Sequence, residues 1–330
     1  MKAFKIFLVL LFTTGILFAG GSKDSPGTQQ KTILRWGTVT TDNMISTKMM
    51  QRIIAEVNSK SKGLEIQGFP NGVLGSSRDM AEAIQNGMID IISDGPGFFS
   101  GSVPLAGIFD SMYIYRDLDH MSKVINGPFI ERLNGEFLKK NVRILGGLYY
   151  GTRHLSTTKT EVHSVKDVQG LRIRVTEFRP NVISVNSWGA RPTPMPLADL
   201  YLSLATNVVD GQENPLATFD ANKFYEVQKY IILTGHLVTS LFISMYEPSF
   251  KKLSPEDQQI LLTAVKNGIA WNNQEMINAE SQLQSELEKK GVTFIIPDKE
   301  SFRTAAVPNL AAYFDETIGK GAWDSIQAVK

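Results

Sequence analysis

The chain has 330 residues with 34 Lys and Arg against 33 Asp and Glu, and a formal charge of +1 offers no basic field of the kind that neutralises phosphates. Nucleic acid is therefore not an expected partner. Hydrophobic residues make up 42% of the chain, enough for substantial cores, and the length exceeds that of a typical single domain, which predicts two lobes. Cysteine is absent, which excludes disulfides, thiolate metal sites, Cys nucleophiles and a lipid carried on a terminal Cys.

Residues 1–21 have the order of an export signal: Lys2 and Lys5, an apolar run over 6–18, then Ala19, Gly20 and Gly21. The run is 13 residues long, short of the roughly 20 that span a membrane, so a signal peptide that is cleaved is expected rather than a retained anchor. Gly21 stands where a lipoprotein signal would need Cys, which predicts a periplasmic protein without a lipid anchor. Residues 22–31 are polar, with Pro and Gly, and read as a flexible leader.

Residues 33–39 read as a strand, and Met49, Met50, Ile53, Ile54 and Val57 then lie on one helical stripe that Gly63 ends. A second strand is expected over Leu64–Phe69, after which Ser76 can cap a helix that turns Met80, Ala83, Ile84 and Met88 to a sheet. Residues 89–93 return as a strand. This alternation predicts an α/β layer with mostly parallel strands. The pattern restarts after Asn126-Gly127-Pro128 with a helix to about Lys140 and strands over 142–147 and 171–175, and a second lobe begins near 150. Residues 241–246 look like a strand of the first kind. Ser254 followed by Pro255, Glu256 and Asp257 starts a long helix running towards Lys290.

Gly95-Pro96-Gly97-Phe98-Phe99-Ser100-Gly101 has the outline of a dinucleotide loop, but Ser100 replaces the third Gly and no amphipathic helix follows, so the reading is a turn at a strand end. Asp94 at that end is a candidate hydroxyl acceptor. His120, His154, His163 and His236 have no metal-ligand spacing, and there is no G-x-S-x-G, so neither a metal nor a cofactor is expected. In Leu171-Arg172-Ile173-Arg174-Val175 the two arginines share one face of a strand. A buried guanidinium there needs a partner, and a carboxylate from a ligand or from the protein itself fits its planar fork. The run Gly189 to Pro196 is too rich in proline for a regular element, and Asp210-Gly211-Gln212-Glu213-Asn214-Pro215 has the composition of a turn suited to polar ligand contacts.

Several of these motifs occur together in an order that resembles the substrate-binding proteins of tripartite ATP-independent periplasmic (TRAP) transporters. They are Gly151-Thr152-Arg153, then Val168-Gln169-Gly170-Leu171-Arg172-Ile173-Arg174-Val175, then Gly189-Ala190 with Pro192-Thr193-Pro194-Met195. Val209 to Pro215 and Lys223-Phe224-Tyr225-Glu226-Val227-Gln228-Lys229-Tyr230 follow, ending near His236, with Phe69-Pro70 and Leu74-Gly75 earlier in the chain. The resemblance implies an α/β, two-lobed periplasmic binding protein fold with hinge segments and a long helix spanning both lobes, and no enzymatic activity. Residues 32–150 and 240–279 would form the first lobe, and 151–239 and 280–330 the second. It implies that Arg174 grips a ligand carboxylate, with Arg153 as a second cationic contact and Asn214 beside them. The implied partners are a small-molecule carboxylate and the small and large integral membrane subunits of the transporter, met by a monomer.

The central motifs are similar to those of the sialic-acid branch, but Gly95 and Phe98 stand where that branch has acidic and basic residues, and Leu197 where it has an aromatic. With Asp94 and Glu177 available for hydroxyls, a smaller sugar acid such as a hexuronate or ketogulonate is the expected ligand. Sialic acid or a C4-dicarboxylate is the alternative within the family. An exported sugar-acid lyase or hydrolase, or a sensor receptor, is the alternative outside it.

Overall fold

The computed structural model describes residues 31–330, so the export segment and all but the last residue of the leader lie outside the described residues. Strand β1 (Thr32–Gly37) buries Leu34 and Trp36 and leaves Ile33 exposed, the period-two alternation of a strand with one covered face. Helix Ile45–Lys60 lays Met49, Met50, Ile53 and Val57 against it. Strand β2 (Leu64–Phe69) then pairs parallel to β1, as expected. Helix Ser77–Gln85 opens on a reciprocal capping box in which the Ser76 hydroxyl accepts from the Asp79 N–H and the Asp79 carboxylate accepts from that of Ser76. Strand β3 (Ile91–Asp94) pairs with the other edge of β1. Met88 is 58% exposed rather than turned to the sheet, because the helix stops at Gln85 and Gly87, at φ +72°, redirects the chain before it.

The remaining strands are β4 (Val142–Thr157), β5 (Arg172–Val175), β6 (Arg191–Pro194), β7 (Gly211–Pro215), β8 (Tyr230–Tyr246) and β9 (Thr293–Ile295). All nine form one sheet in the order β2-β1-β3-β8-β4-β7-β5-β6, with β9 beside β8. The sequence predicts mostly parallel strands, and the outer pairs are parallel. The middle is not: β3–β8, β8–β4 and β4–β7 are antiparallel. The short strands expected at 142–147 and 241–246 are the ends of two ladders of 16 and 17 residues that run through both lobes. Register shifts at Ile144/Gly146, Tyr149/Gly151 and Arg153/Leu155 bend this central pair.

Two further expectations are corrected. The proline-rich run forms β6, which sits at the sheet edge, where Arg191 and Met195 donate to Leu171 O and Val175 O while the nitrogens of Pro192 and Pro194 are not needed by the ladder. The polar run read as a turn forms β7, a strand with all five residues buried between β4 and β5.

Ser254 caps helix Pro255–Lys289 by accepting from the Asp257 N–H at 3.1 Å, and Pro255 occupies the first turn, where its missing N–H costs nothing. At 35 residues this helix is about 52 Å long. Leu261, Ala264 and Val265 enter the core around Trp36 and Met49, whereas Leu283 and Leu287 enter a separate core around Phe219 and Phe224. One rigid rod thus joins the two lobes.

Candidate ligand-binding site

A cleft of ≈ 390 Å³ opens at the ends of β1, β3 and β5, beside the bent middle of β4 and β8. Arg174, Arg153, Asn214, Asp94 and Glu177, the five residues singled out in the sequence, all line it. The rim adds Phe98 and Leu197, so the departures from the sialic-acid branch face the same space.

Arg174 lies on β5 between β7 and β6 and is 3% exposed. Its Nε and Nη2 both donate to Met195 O, at 3.0 and 2.8 Å, which fixes the plane of the guanidinium. Among the described residues no carboxylate oxygen comes within the 4.0 Å of an ion pair with it. Burial lowers its pKa to about 10, so it stays charged at neutral pH. Its strand neighbour Arg172 takes the protein's own acid, donating to Asp210 from Nε at 3.0 Å and Nη2 at 2.7 Å.

Arg153 is equally buried but is already paired. Its Nη2 donates to Glu213 Oε1 at 2.9 Å and to Glu213 O at 2.5 Å, while Nε donates to Oε2. Burial pushes the Glu213 carboxyl up, but the Arg153 guanidinium and a 3.2 Å hydrogen bond from His236 Nε2 outweigh it and hold it down at about 2. Burial keeps His236 neutral, and its Nδ1 meets the Thr234 hydroxyl at 2.7 Å. Arg153 therefore offers the cleft hydrogen-bond donors whose charge is largely balanced. Asn214, next in β7, donates to Gln212 Oε1 at 2.5 Å, which orients its amide.

The opposite wall is acidic. Asp94 Oδ1 accepts from the Gly95 N–H at 2.8 Å, and Asp110 Oδ2 accepts from the Gly97 N–H at 3.3 Å, so one turn holds both carboxyls. A Cβ at Gly95 would collide with Asp110 Oδ2, which is why the turn needs glycine there. Burial raises Asp94 to about 6 and Asp110 to about 7. Asp110 has no signal in the sequence: it follows the turn by thirteen positions, in the 3-10 segment Pro104–Asp110, and only the fold brings it back. Glu177 sits at the mouth, where its carbonyl accepts from Arg78 of helix Ser77–Gln85. Beside it Phe98 and Phe178 meet edge to face, with ring centroids 5.8 Å apart.

Behind the cleft, β4 leaves its ladder at Tyr149–Gly151, where Gly151 has φ +123°. The long helix satisfies the freed groups: Asn272 donates to Tyr149 O at 2.8 Å, Asn273 accepts from Tyr149 N at 2.9 Å, and Glu280 accepts from Thr152 N at 2.7 Å. Glu280 also accepts from the Tyr149 hydroxyl at 2.5 Å.

A two-lobed sheet with a bent central strand pair, a spanning helix and a buried cation in the cleft defines an extracytoplasmic binding protein. Residues 36–317 match bacterial extracellular solute-binding protein family 7 (DctP), and the chain belongs to this family of TRAP solute-binding proteins. It is 34% identical over 276 residues to the sialic acid-binding periplasmic protein SiaP of Vibrio cholerae, covering 83% of this chain and 85% of that one. With the 2,3-diketo-L-gulonate-binding periplasmic protein YiaO of Escherichia coli it shares 30% identity over 324 residues, 96% of this chain and 97% of the other. The structure superposes on a TRAP periplasmic solute-binding protein of Roseobacter denitrificans with bound L-galactonate at a TM-score of 0.85, with 27% identity, over 91% of this chain and all of that one.

Proposed function

We propose that this protein captures a carboxylated sugar, a hexuronate or related sugar acid, in the periplasm and delivers it to the membrane subunits of a TRAP transporter. The observation that carries the reading is Arg174, a buried guanidinium aimed by Met195 O and lacking a carboxylate of its own. A buried cation without a counter-charge is costly to keep, and a ligand carboxylate removes that cost while forming charge-assisted hydrogen bonds of about 1.5–3 kcal/mol each. Arg153 and Asn214 add donors at the same end, and Asp94 and Glu177 take the ligand hydroxyls. YiaO and the galactonate-bound relative support a sugar acid of about this size.

Closure follows from the placement of these groups, since ligand contacts from both walls favour the form in which the walls approach. The lobes divide after 150, 239 and 279. These three points meet in space: Gly151 pairs with Thr239, and Glu280 holds Thr152 N. Before delivery the chain is exported, loses its signal and acts as a monomer without cofactor.

The test is isothermal titration of the purified protein with L-galactonate, D-glucuronate and D-galacturonate. Arg174→Ala is expected to lose more than about tenfold in affinity for the best of them. Unchanged affinity in that variant refutes the reading.

A further inference from the structure

The proposed clamp takes up one carboxylate at Arg174, and the rest of the cleft lining carries polar atoms with nothing to bond. Among the described residues, four buried side-chain atoms of the cleft lining have no hydrogen-bond partner, Thr41 Oγ1, Asp94 Oδ2, Asn181 Oδ1 and Thr239 Oγ1, with the Ser77 hydroxyl partly offsetting the burial of the Asp94 carboxyl. The two threonine hydroxyls can donate or accept. Asp94 Oδ2, when the carboxyl is ionised, and Asn181 Oδ1, an amide oxygen, can only accept, and one N–H of the Asn181 amide already donates to Thr176 Oγ1 at 2.5 Å. An unmet buried acceptor loses its water without replacement, so the group that comes to lie there is favoured if it brings donors. A hydroxyl does, and a carboxylate does not.

Charge points the same way. Among the described residues, Arg153 and Arg174 are the only cationic side chains lining the cleft, and Glu213 already balances the first. Asp110 lies beside Asp94 at the same glycine turn. A second anionic group on the ligand would meet these two carboxyls, whose cationic neighbour Arg153 is already paired with Glu213.

We infer, building on the clamp at Arg174, that Asp94 and Asn181 are the specificity-determining residues of this cleft: they admit sugar acids with one carboxylate and a hydroxylated far end, and reject the corresponding dicarboxylates.

The groups facing the two acids are Arg153 and Tyr150 from β4, Arg174 from β5, Glu213 from β7, Tyr115 from the segment after Asp110, and Glu177 at the mouth. Both arginines stay protonated, Glu213 stays ionised and both tyrosines stay neutral. Of these groups, Asp94 and Asp110, which burial raises to about 6 and about 7, change charge between pH 8 and pH 5. At pH 5 a neutral Asp94 gains a proton to donate, so rejection of a second carboxylate weakens as the pH falls.

The experiment is calorimetric titration with matched pairs that differ only in a terminal carboxylate, L-galactonate against galactarate and D-gluconate against D-glucarate. For whichever monoacid binds more tightly, the wild type at pH 8 is expected to prefer it over its diacid by about 100-fold, the scale of an uncompensated like-charge contact. Asp94→Asn should cut that preference to under about tenfold, chiefly by gaining diacid affinity, and the wild type at pH 5 should move in the same direction without any substitution. Comparable wild-type affinity for both members of a pair overturns the inference while leaving the clamp standing, as does a preference that neither Asp94→Asn nor pH 5 reduces. Failure of every monoacid to bind defeats the clamp itself, and the inference with it.

Discussion

Arg153 and Arg174 are both buried arginines of one cleft, and their neighbours give them opposite roles. Glu213 and its hydrogen bond from His236 neutralise Arg153, whereas Arg174 hydrogen-bonds the Met195 carbonyl and feels Glu213 and Glu177 only at longer range. The Arg153–Glu213 pair is fully enclosed, and removing one partner of such a pair leaves an uncompensated charge in a medium that solvates it poorly. Glu213→Gln is therefore expected to destabilise the unliganded protein by about 3–5 kcal/mol in urea unfolding. The corresponding variant of the exposed pair, Glu136→Gln beside Lys139, should cost less than about 1 kcal/mol. The wild-type contribution of Glu213 has a definite sign with pH. Its carboxyl is held below the ordinary value of 4.5, so its stabilisation is present above that value and is lost as the pH falls towards about 2. A Glu213→Gln variant as stable as wild type at pH 7 would show that the arginine charge is met elsewhere.

The elements were legible where one side of the chain repeats a simple period, and illegible where the site interrupts it. Leu64–Phe69 and the helix start at Ser254 follow from alternation and capping alone. Strand β7 does not, because Gln212, Glu213 and Asn214 are polar in a strand buried throughout, and Ser156, Arg153 and His236, the partners of Gln212 and Glu213, are far away in sequence. The prolines of β6 hide an edge strand for the same reason: only the fold shows that their nitrogens face away from β5. In the site itself, the Leu-Arg-Ile-Arg-Val spacing left two arginines open for the proposed clamp and the family resemblance pointed to Arg174, while in the structure Asp210 pairs with Arg172 from the strand boundary before β7. At the interface of the long helix with helix Ile45–Lys60, Gly268 is buried and a Cβ there would collide with Ile53 Cγ1. Helix propensity alone makes Gly268→Ala stabilising by about 1 kcal/mol, but the overpacking cost of about 1–3 kcal/mol should win and give a net loss. The control is Gly135→Ala in helix Pro128–Leu138, where a Cβ meets nothing within 4 Å and the propensity gain should appear intact. Equal effects at the two positions would mean that the helices do not approach as closely as drawn.

On the scale of the whole molecule, the central strand pair, the long helix and the mouth of the cleft make one mechanical system. The strands bend at Tyr149–Gly151, the helix braces that bend through Asn272, Asn273 and Glu280, and the two walls touch at the far side through Phe98 with Phe178 and Arg78 with Glu177 O. In the proposed closure, contacts at the mouth form only when the walls are together, so they would add to the stability of the closed form and leave the open one untouched. An edge-to-face aromatic pair contributes about 0.5–1.5 kcal/mol beyond its buried area, so Phe178→Ala should raise the open-to-closed ratio of the unliganded protein about two- to tenfold and weaken ligand binding by a similar factor. The absence of native cysteine allows clean labelling, with Lys62→Cys and Lys159→Cys placing spin labels on exposed positions of the two lobes. In double electron–electron resonance, Phe178→Ala should shift the unliganded distances towards the longer population, while saturating ligand restores the shorter one. If the distance distribution and the affinity both match those of the labelled parent, the aromatic contact does not contribute to closure, and the bias must come from the ligand and the braced hinge alone.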